Sequence, residues 1–293
     1  MRSALFVPGD NERKLAKALA SGADALIIDL EDSVAAGAKA NARIIAAAFL
    51  RDARTREKRP RLLVRVNAVD DPEIDADLDA VIACAPEAIV LPKSLGGASV
   101  QQLGVKLAVR EARNDLPEGS TAIIAIATES ARAMFGLETY IGCSRRLAGL
   151  AWGGEDLSAD LGAQANRLPG GAYTAPYVLA RSLTLIAARA AQVTPIDSVF
   201  ADFRDADGLR EEAMAGARDG FGAKLAIHPA QIPVIHAAFT PSKEALEEAR
   251  MVIAAFDASP DAGVVALNGA MLDRPHYLRA QRVLARAGSG KTS

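Results

Sequence analysis

Eight short apolar segments alternate with amphipathic segments along the first four fifths of the chain. They are rich in Val, Ile and Leu, and we predict a β-strand at each: 4–8, 25–30, 62–67, 88–93, 122–129, 147–153, 196–202 and 224–229. Nearly continuous apolar strands, as opposed to alternating ones, are typical of a parallel sheet that is covered on both faces. The sequence therefore predicts parallel strands joined by crossover helices.

The segments between these strands have helical spacing or helix-favouring composition. We predict helices at 11–21, 39–52, 74–83, 99–114, 132–141, 173–191, 207–218 and 232–239. Eight successive strand–helix units predict an α/β fold, a closed (β/α)8 TIM barrel. The alternative is a doubly wound open sheet, which normally has fewer strands and a glycine-rich first turn.

The chain continues beyond the eighth unit with a helical extension. We predict a helix at 243–256, a loop at 261–268 with the apolar core GVVAL, and a last helix at 277–287. This segment is too short for a domain of its own. We therefore expect a barrel domain at 1–240 and a C-terminal extension at 241–293 that packs on the barrel or on a neighbouring subunit.

Composition and charge exclude several classes of protein. The net charge is −2 and the pI is near 6.0, so there is no basic field for nucleic acid. The apolar run before Pro8 is too short for a signal peptide, and no apolar window is long enough to span a membrane. Cys84 and Cys143 lack CxxC spacing, so we expect reduced thiols and a cytoplasmic protein.

Ionisable residues lie at, or just after, the C-terminal ends of most of the predicted strands. They are Asp29, Glu31, Asp32, Arg65, Lys93, Glu129, Glu155, Asp156, Asp202 and His228. In a (β/α)8 barrel these strand ends share one face, where catalysis takes place. Acids gathered there repel one another and lose hydration, which a bound cation offsets. The pattern thus predicts a cation site at the barrel mouth.

Glu129 ends the fifth predicted strand, Asp156 comes just after the sixth, and these two acids are the predicted metal ligands. Two carboxylates without nearby His or Cys suit Mg²⁺, with Mn²⁺ as a possible substitute. Gly153 and Gly154 would allow a close approach of the backbone to the ion. The alternative is that Glu155 and Asp156 only cap a helix that starts at Leu157.

Arg65 interrupts an apolar strand, where an unpaired guanidinium is costly. It is suited to bind a substrate carboxylate through two parallel hydrogen bonds. The alternative is a structural ion pair with Asp29 or Glu31, and both uses are compatible. For Lys93 we favour a salt bridge with the surrounding acids.

Nine motifs, in order along the chain, resemble the citrate lyase β-subunit-like (CitE-like) family of the HpcH/HpaI aldolase superfamily, which is close to malyl-CoA and citramalyl-CoA lyases. They are RSALFVPGD, ADALIIDLEDSV, LLVRVNAVDDP, AIVLPK, IATES, LAGLAWGGEDLSADLG, DFRDADGLR, GAKLAIHPAQI and MLDRP. The resemblance runs from residue 2 to about 284. It implies a TIM barrel that binds Mg²⁺, assembles into homotrimers or homohexamers, and joins or splits a CoA thioester and a 2-oxo acid.

The resemblance also implies roles for individual residues. It places the metal and part of the substrate contact on Glu129, with Asp156 as the second ligand, and the substrate carboxylate on Arg65. Supporting positions around the metal fall on three acids: Asp29, Glu31 and Glu155. Asp273 would act as a proton donor or acceptor in the active site of an adjacent subunit, although it could instead only cap the last helix.

The expected activity is Mg²⁺-dependent carbon–carbon bond cleavage or formation with malyl-, citramalyl- or citryl-CoA. The alternatives are a (3S)-malyl-CoA thioesterase, the β subunit of an acyl-carrier-dependent citrate lyase complex, and a non-catalytic metabolite-binding barrel. We expect the CoA phosphates near Arg13, Lys14 or Lys93. Neither nucleic acid nor membrane is expected as a partner.

Overall fold

A computed structural model describes residues 1–260 and 262–288 of the chain. The eight predicted strands are present and close into a parallel barrel in the order β1 to β8. Their bounds are β1 Ser3–Pro8, β2 Ala25–Asp29, β3 Arg61–Arg65, β4 Ala88–Leu91, β5 Ala122–Ile126, β6 Leu147–Ala151, β7 Thr194–Asp197 and β8 Ala223–Ala226. The (β/α)8 prediction is confirmed, although several strands end earlier than predicted, so that Lys93, Glu129, Asp202 and His228 lie in the loops that follow.

The helices surround the barrel. They are α1 Glu12–Leu19, α2 Lys39–Arg54, α3 Ile74–Val81, α4 Gly97–Arg113, α5 Ala131–Met134, α6 Gly154–Asp160, α7 Ala175–Ala190, α8 Ala206–Asp219 and α9 Ile232–Phe239. The single helix predicted at 132–141 is wrong, because α5 ends at Met134 and a 3₁₀ turn occupies Leu137–Tyr140. A Cβ on Gly136 would lie 2.1 Å from the carbonyl oxygen of Leu95, so the backbone passes very close to the β4 loop at this break.

The strands are buried on both faces, as their composition predicted. In β2, Ala25 and Ile27 belong to the core inside the barrel, whereas Leu26 and Ile28 pack in the core between the barrel and the helices. Each fully buried Leu or Ile contributes about 1.5–3 kcal/mol of hydrophobic stabilisation. Such a sheet holds its strand ends at fixed positions.

The C-terminal segment forms a helix, a hairpin and a helix. These are α10 Lys243–Asp257, the antiparallel strands β9 Val264–Leu267 and β10 Ala270–Asp273, and α11 Arg274–Gly288. The loop predicted at 261–268 is therefore wrong over β9, and its first residue, Asp261, lies outside the described residues. Asn268 and Gly269 form the two-residue turn with φ of 51° and 80°. Asn-Gly is the strongest short-range hairpin signal because both central positions need positive φ.

The same segment has a small core of its own and contacts the barrel through α11. Val252, Phe256 and Val265 are buried together, and the rings of Phe256 and Tyr277 meet edge-on at 5.3 Å. Near the end of α11, Arg286 donates to the carbonyl of Phe221 at 3.2 Å, two residues before β8 begins. Across the described residues, no helix has the length and apolarity required to span a membrane.

Candidate active site

The carboxyl ends of β2 to β6 bring five of the predicted residues together at the barrel mouth. Asp29 and Arg65 end β2 and β3, Lys93 follows β4, Glu129 follows β5, and Asp156 lies in the first turn of α6 after β6. Hydrogen bonds, ion pairs and electrostatic interactions join these groups from strand to strand. The predicted convergence of charged groups on one face of the barrel is therefore observed.

Arg65 is held by two acids. Its Nε and Nη2 donate to the two oxygens of Asp29 at 2.7 and 2.6 Å, and its Nη1 lies 3.0 Å from Oε2 of Glu31. The guanidinium also lies over the ring of Phe6, with 4.8 Å from Cζ to the ring centre. Burial disfavours its charge, but Asp29 and Glu31 outweigh burial and raise the pKa of Arg65. The structural ion pair considered from the sequence is thus present.

Lys93 links the acids through both its main chain and its side chain. Its backbone N–H donates to Oε2 of Glu129, while its ammonium donates to Glu31 and Asp32. The φ of Lys93 is +51°, in the left-handed region that residues other than glycine seldom occupy. Strain of this kind is concentrated at functional sites. The predicted salt bridge of Lys93 is confirmed.

Glu129 is the most perturbed carboxyl group at the mouth. Only 5% of its surface is exposed, and burial, together with the charges of Asp156 and Glu31, raises the pKa of Glu129 to about 8 against the opposing effects of Lys93 and Arg65. A Cβ on Gly153 would lie 2.7 Å from Cγ of Glu129, so the site requires glycine there. The burial of a carboxyl group close to a second acid is the arrangement that a bound cation stabilises.

Asp156 and Glu155 lie in the first turn of α6 but have different surroundings. The helix begins at Gly154, its N-cap is Gly153, and no side chain caps it. The predicted start at Leu157 and the pure-cap alternative are therefore wrong. Asp156 is half-buried, whereas Glu155 is exposed and accepts a hydrogen bond from Asn166 at 2.8 Å. Asp156 is thus the acid that the helix turns toward Glu129.

The donor set fits a hard divalent ion. Glu129 and Asp156 supply oxygen atoms only, which suits Mg²⁺ with water and substrate oxygens completing its shell. No group of three or more His, Cys, Asp or Glu side chains suited to a metal occurs within residues 1–260 and 262–288. The assignment of Glu129 and Asp156 as the two protein ligands stays a prediction.

A buried polar network behind the mouth was missed by the sequence reasoning. The indole N–H of Trp152 donates to Asp197 at 2.7 Å, and the fully buried ammonium of Lys224 donates to the carbonyl of Ser198 at 2.7 Å and to Glu212 at 2.8 Å. A Cβ on Gly154 would lie 3.1 Å from the Trp152 ring, so this ring supports the turn that leads to Asp156. The available signal was a charged residue inside each of two apolar strands, β7 and β8.

The remaining candidate residues do not join this cluster. Asp273 is exposed at the end of β10, and its Oδ1 lies 2.6 Å from Nδ1 of His276. Within the described parts of the chain, it shares no hydrogen bond or ion pair with the acids of the mouth. Arg13 and Lys14 are exposed on α1, and the ring of His228 stacks on Phe203 with 4.6 Å between ring centres.

The fold and the site together define a (β/α)8 barrel enzyme with paired carboxylates and an arginine at its mouth. The model of the HpcH/HpaI aldolase/citrate lyase family matches residues 2–229. The chain therefore belongs to the HpcH/HpaI aldolase/citrate lyase family and is a lyase, which confirms the resemblance noted in its motifs.

Individual relatives match over nearly the whole chain. A "Citrate lyase subunit beta-like protein" of Mycobacterium tuberculosis is 37% identical over 284 residues, 97% of this chain and 94% of the relative. A "(3S)-malyl-CoA thioesterase" of Cereibacter sphaeroides is 35% identical over 291 residues, 98% of this chain and 94% of the relative. The crystal structure of CitE from M. tuberculosis in complex with magnesium, acetoacetate and coenzyme A is 35% identical with a TM-score of 0.78, covering 98% of each chain.

Proposed function

We propose that this enzyme is a Mg²⁺-dependent carbon–carbon lyase that interconverts a 3-hydroxyacyl-CoA, such as malyl-, citramalyl- or citryl-CoA, with a 2-oxo acid and an acyl-CoA. The observation that carries the proposal is the buried Glu129, whose pKa is raised to about 8 beside Asp156 and within the field of Arg65. Perturbed carboxyl groups at the C-terminal face of a barrel are typical of an active site. The magnesium, acetoacetate and coenzyme A bound by M. tuberculosis CitE support the substrate class.

Glu129 and Asp156 would hold the magnesium ion. When bound, the ion supplies Lewis-acid polarisation of the substrate oxygen that is a hydroxyl in one direction of the reaction and a carbonyl in the other. Glu129 would also contact the bound 2-oxo acid, because it lies between Lys93 and Asp156 at the mouth. The fixed turn at Gly153 keeps the two acids in place before substrate binds.

Arg65 would bind the carboxylate of the 2-oxo acid. The two hydrogen bonds to Asp29 use two of its five N–H groups, so the guanidinium keeps donors for a substrate while Asp29 and Glu31 fix its direction. A guanidinium with fixed orientation stabilises the developing charge without reorganising during the reaction.

Proton transfer at the substrate hydroxyl requires a further group. We assign it to Asp273 of an adjacent subunit, within a homotrimer or homohexamer. Its exposure and its position on the hairpin of the C-terminal extension support this assignment, because it lies apart from the mouth of its own barrel. Residues 1–240 would then form the catalytic domain, and residues 241–293 the extension that completes a neighbouring site in the cytoplasmic enzyme.

Thioester hydrolysis is the second candidate function. The thioesterase relative is 35% identical, only slightly less than the citrate lyase relative at 37%, so the identities alone do not choose between the reactions. A hydrolase needs only a water molecule directed at the thioester carbonyl. A role as the β subunit of an acyl-carrier-dependent citrate lyase is supported by the "Citrate lyase subunit beta" of Escherichia coli, which is 35% identical over 288 residues.

A product assay distinguishes these activities. Purified protein is incubated with malyl-, citramalyl- and citryl-CoA, with Mg²⁺ or with EDTA, and the products are separated by liquid chromatography. Acyl-CoA plus 2-oxo acid, formed only with Mg²⁺, is the expected result. Free CoA without acyl-CoA would identify the thioesterase instead, and turnover of carrier-bound substrate alone would identify the citrate lyase subunit.

A further inference from the structure

A second concave site lies at the opposite end of the barrel from the mouth, and we call it the arginine pocket. Its volume is about 410 Å³, and its lining includes four arginines: Arg2, Arg189, Arg282 and Arg286. The first residues of β6 and β7, Leu147 and Thr194, also line it, which places the pocket at the N-terminal face of the barrel. Among the described residues, neither Asp nor Glu contributes to the lining.

Among the described residues, three of the four arginines form no ion pair. Arg189 donates to the carbonyl of Gly220, and Arg286 donates to the carbonyls of Phe221 at 3.2 Å and Ala217 at 3.5 Å. Since Gly220 and Phe221 are adjacent, these two guanidinium groups meet at one turn of the chain. Arg282 is placed one helical turn before Arg286 on α11 and faces the same pocket.

Arg2 differs from the other three arginines because it forms an ion pair. Its guanidinium donates to Asp24 at 2.8 and 3.1 Å, and the ion pair raises the pKa of Arg2. Within residues 1–260 and 262–288, no carboxylate forms an ion pair with Arg189, Arg282 or Arg286.

Electrostatic repulsion inside the pocket is consistent with this geometry. Burial first, and then the charges of Arg282 and Arg286, lower the pKa of Arg189. Burial and the charge of Arg282 likewise lower the pKa of Arg286. Like charges held together in this way are stabilised when an anion enters between them.

We infer that the arginine pocket is a binding site for a small, multiply charged anion that carries phosphate or carboxylate groups. A guanidinium group can form paired hydrogen bonds with either a phosphate or a carboxylate. The three arginines without an ion pair can balance two or three negative charges. The pocket volume is in the range of sites for small molecules. The inference is independent of the proposed function, because the pocket shares no residue with the mouth.

Calorimetric titration of metal-free protein tests the inference, in a buffer without phosphate. Inorganic pyrophosphate and citrate are titrated separately into the wild type, R282Q and R279Q. Arg279 is exposed on the same helix but does not line the pocket, so R279Q removes the same charge elsewhere. We expect R282Q to bind the preferred anion about tenfold more weakly than the wild type, and R279Q to bind it like the wild type.

Two further variants make the result decisive. R286Q should weaken binding at least as much as R282Q, whereas R65Q at the mouth should leave it unchanged. Tighter binding of pyrophosphate would identify phosphate as the recognised group, and tighter binding of citrate would identify carboxylate. Equal affinity in R282Q, R286Q and R279Q, or loss of binding in R65Q alone, would overturn the inference.

Discussion

Arg65 and Asp29 are joined by two parallel hydrogen bonds, 2.7 Å from Nε to Oδ1 and 2.6 Å from Nη2 to Oδ2. Asp29 accepts two more hydrogen bonds, from the backbone N–H groups of Glu31 at 3.0 Å and Ser33 at 3.2 Å. Burial opposes the charge of Asp29, but Arg65 outweighs burial and lowers the pKa of Asp29. The carboxylate therefore stays ionised and fixes the plane of the guanidinium at the mouth.

The substitution R65K tests whether that fixed plane serves substrate binding. A lysine keeps the positive charge but lacks the planar donors, so it cannot hold Asp29 and a substrate carboxylate at the same time. We expect the kcat/KM for the 2-oxo acid to fall by about 10- to 100-fold, which corresponds to a loss of about 1.5–3 kcal/mol. Steady-state kinetics at varied oxo acid concentration measures the effect, and circular dichroism verifies the fold. Unchanged kinetics in R65K would show that Arg65 serves only in the structural ion pair.

Removal of the Glu129 charge should change how stability depends on pH in the metal-free protein. The folded-state pKa of about 8 lies above the ordinary value of 4.5, so the folded protein holds this proton more tightly than the unfolded chain. The contribution of Glu129 to the free energy of unfolding therefore falls as pH rises from about 4.5 to about 8. The total is on the order of a few kcal/mol.

Urea unfolding of the wild type and E129Q in EDTA, at about pH 5 and pH 8, measures this difference. The amide side chain in E129Q does not ionise. E129Q should therefore gain stability relative to the wild type at the higher pH, where the wild type must hold a buried carboxylate. E155Q is the matched control, because Glu155 is exposed and its substitution should leave the pH dependence as it is. Parallel curves for the wild type and E129Q would show that Glu129 is ionised throughout.

The hydrogen bond between Trp152 and Asp197 should influence metal affinity although neither residue is a predicted metal ligand. In W152F the indole donor is lost and the ring no longer fills the space beside Gly154, so the turn before Asp156 becomes less well positioned. Supporting interactions around metal ligands are worth about 10- to 100-fold in affinity, and we expect a loss in that range for Mg²⁺.

Y177F provides the control for W152F. Tyr177 is a buried ring of the same region, and its hydroxyl has no hydrogen-bond partner among the residues that the structure describes. We expect Y177F to bind Mg²⁺ like the wild type. If W152F also binds like the wild type while remaining folded, the Trp152 ring has no positioning role.

Mixed oligomers test the assignment of Asp273 to an adjacent subunit. D273N and E129Q should each be inactive, but in co-assembled oligomers about a quarter of the sites combine an intact Glu129 with an intact Asp273 from a neighbour. We expect activity to recover when the two variants are unfolded and refolded together. Separately refolded variants that are mixed afterwards serve as the control. An absence of recovery, with mixed oligomers present, would place Asp273 outside the site.

The sequence was sufficient for the barrel because each strand is apolar on both faces and each is followed by a helix. It was also sufficient to predict that Glu129 and Asp156 lie at the same face of the barrel, since parallel strand ends meet there, while their role as metal ligands stays a prediction. The hairpin around Asn268 and Gly269 could have been predicted from the Asn-Gly pair itself. The start of α6 at Gly154 was harder to predict, because glycine has low helix propensity and the helix is stabilised by its contacts with Trp152.

Other features depend on contacts between residues that are distant in sequence. Asp197 and Lys224 are buried charges in β7 and β8, and the sequence alone does not specify their partners Trp152 and Glu212. The arginine pocket likewise combines Arg189 of α7 with Arg282 and Arg286 of α11, which meet only because the C-terminal extension packs under the barrel. Packing of this kind decides which polar residues become a site.

The proposed function rests on a magnesium ion shared by Glu129 and Asp156, and calorimetric titration of Mg²⁺ into metal-free protein tests it most directly. We predict one ion per chain for the wild type, nearly unchanged binding in the exposed control E155Q, and an affinity lowered by about 100-fold or more in both E129Q and D156N. Binding of Mg²⁺ to E129Q and D156N with wild-type affinity and stoichiometry would contradict the account.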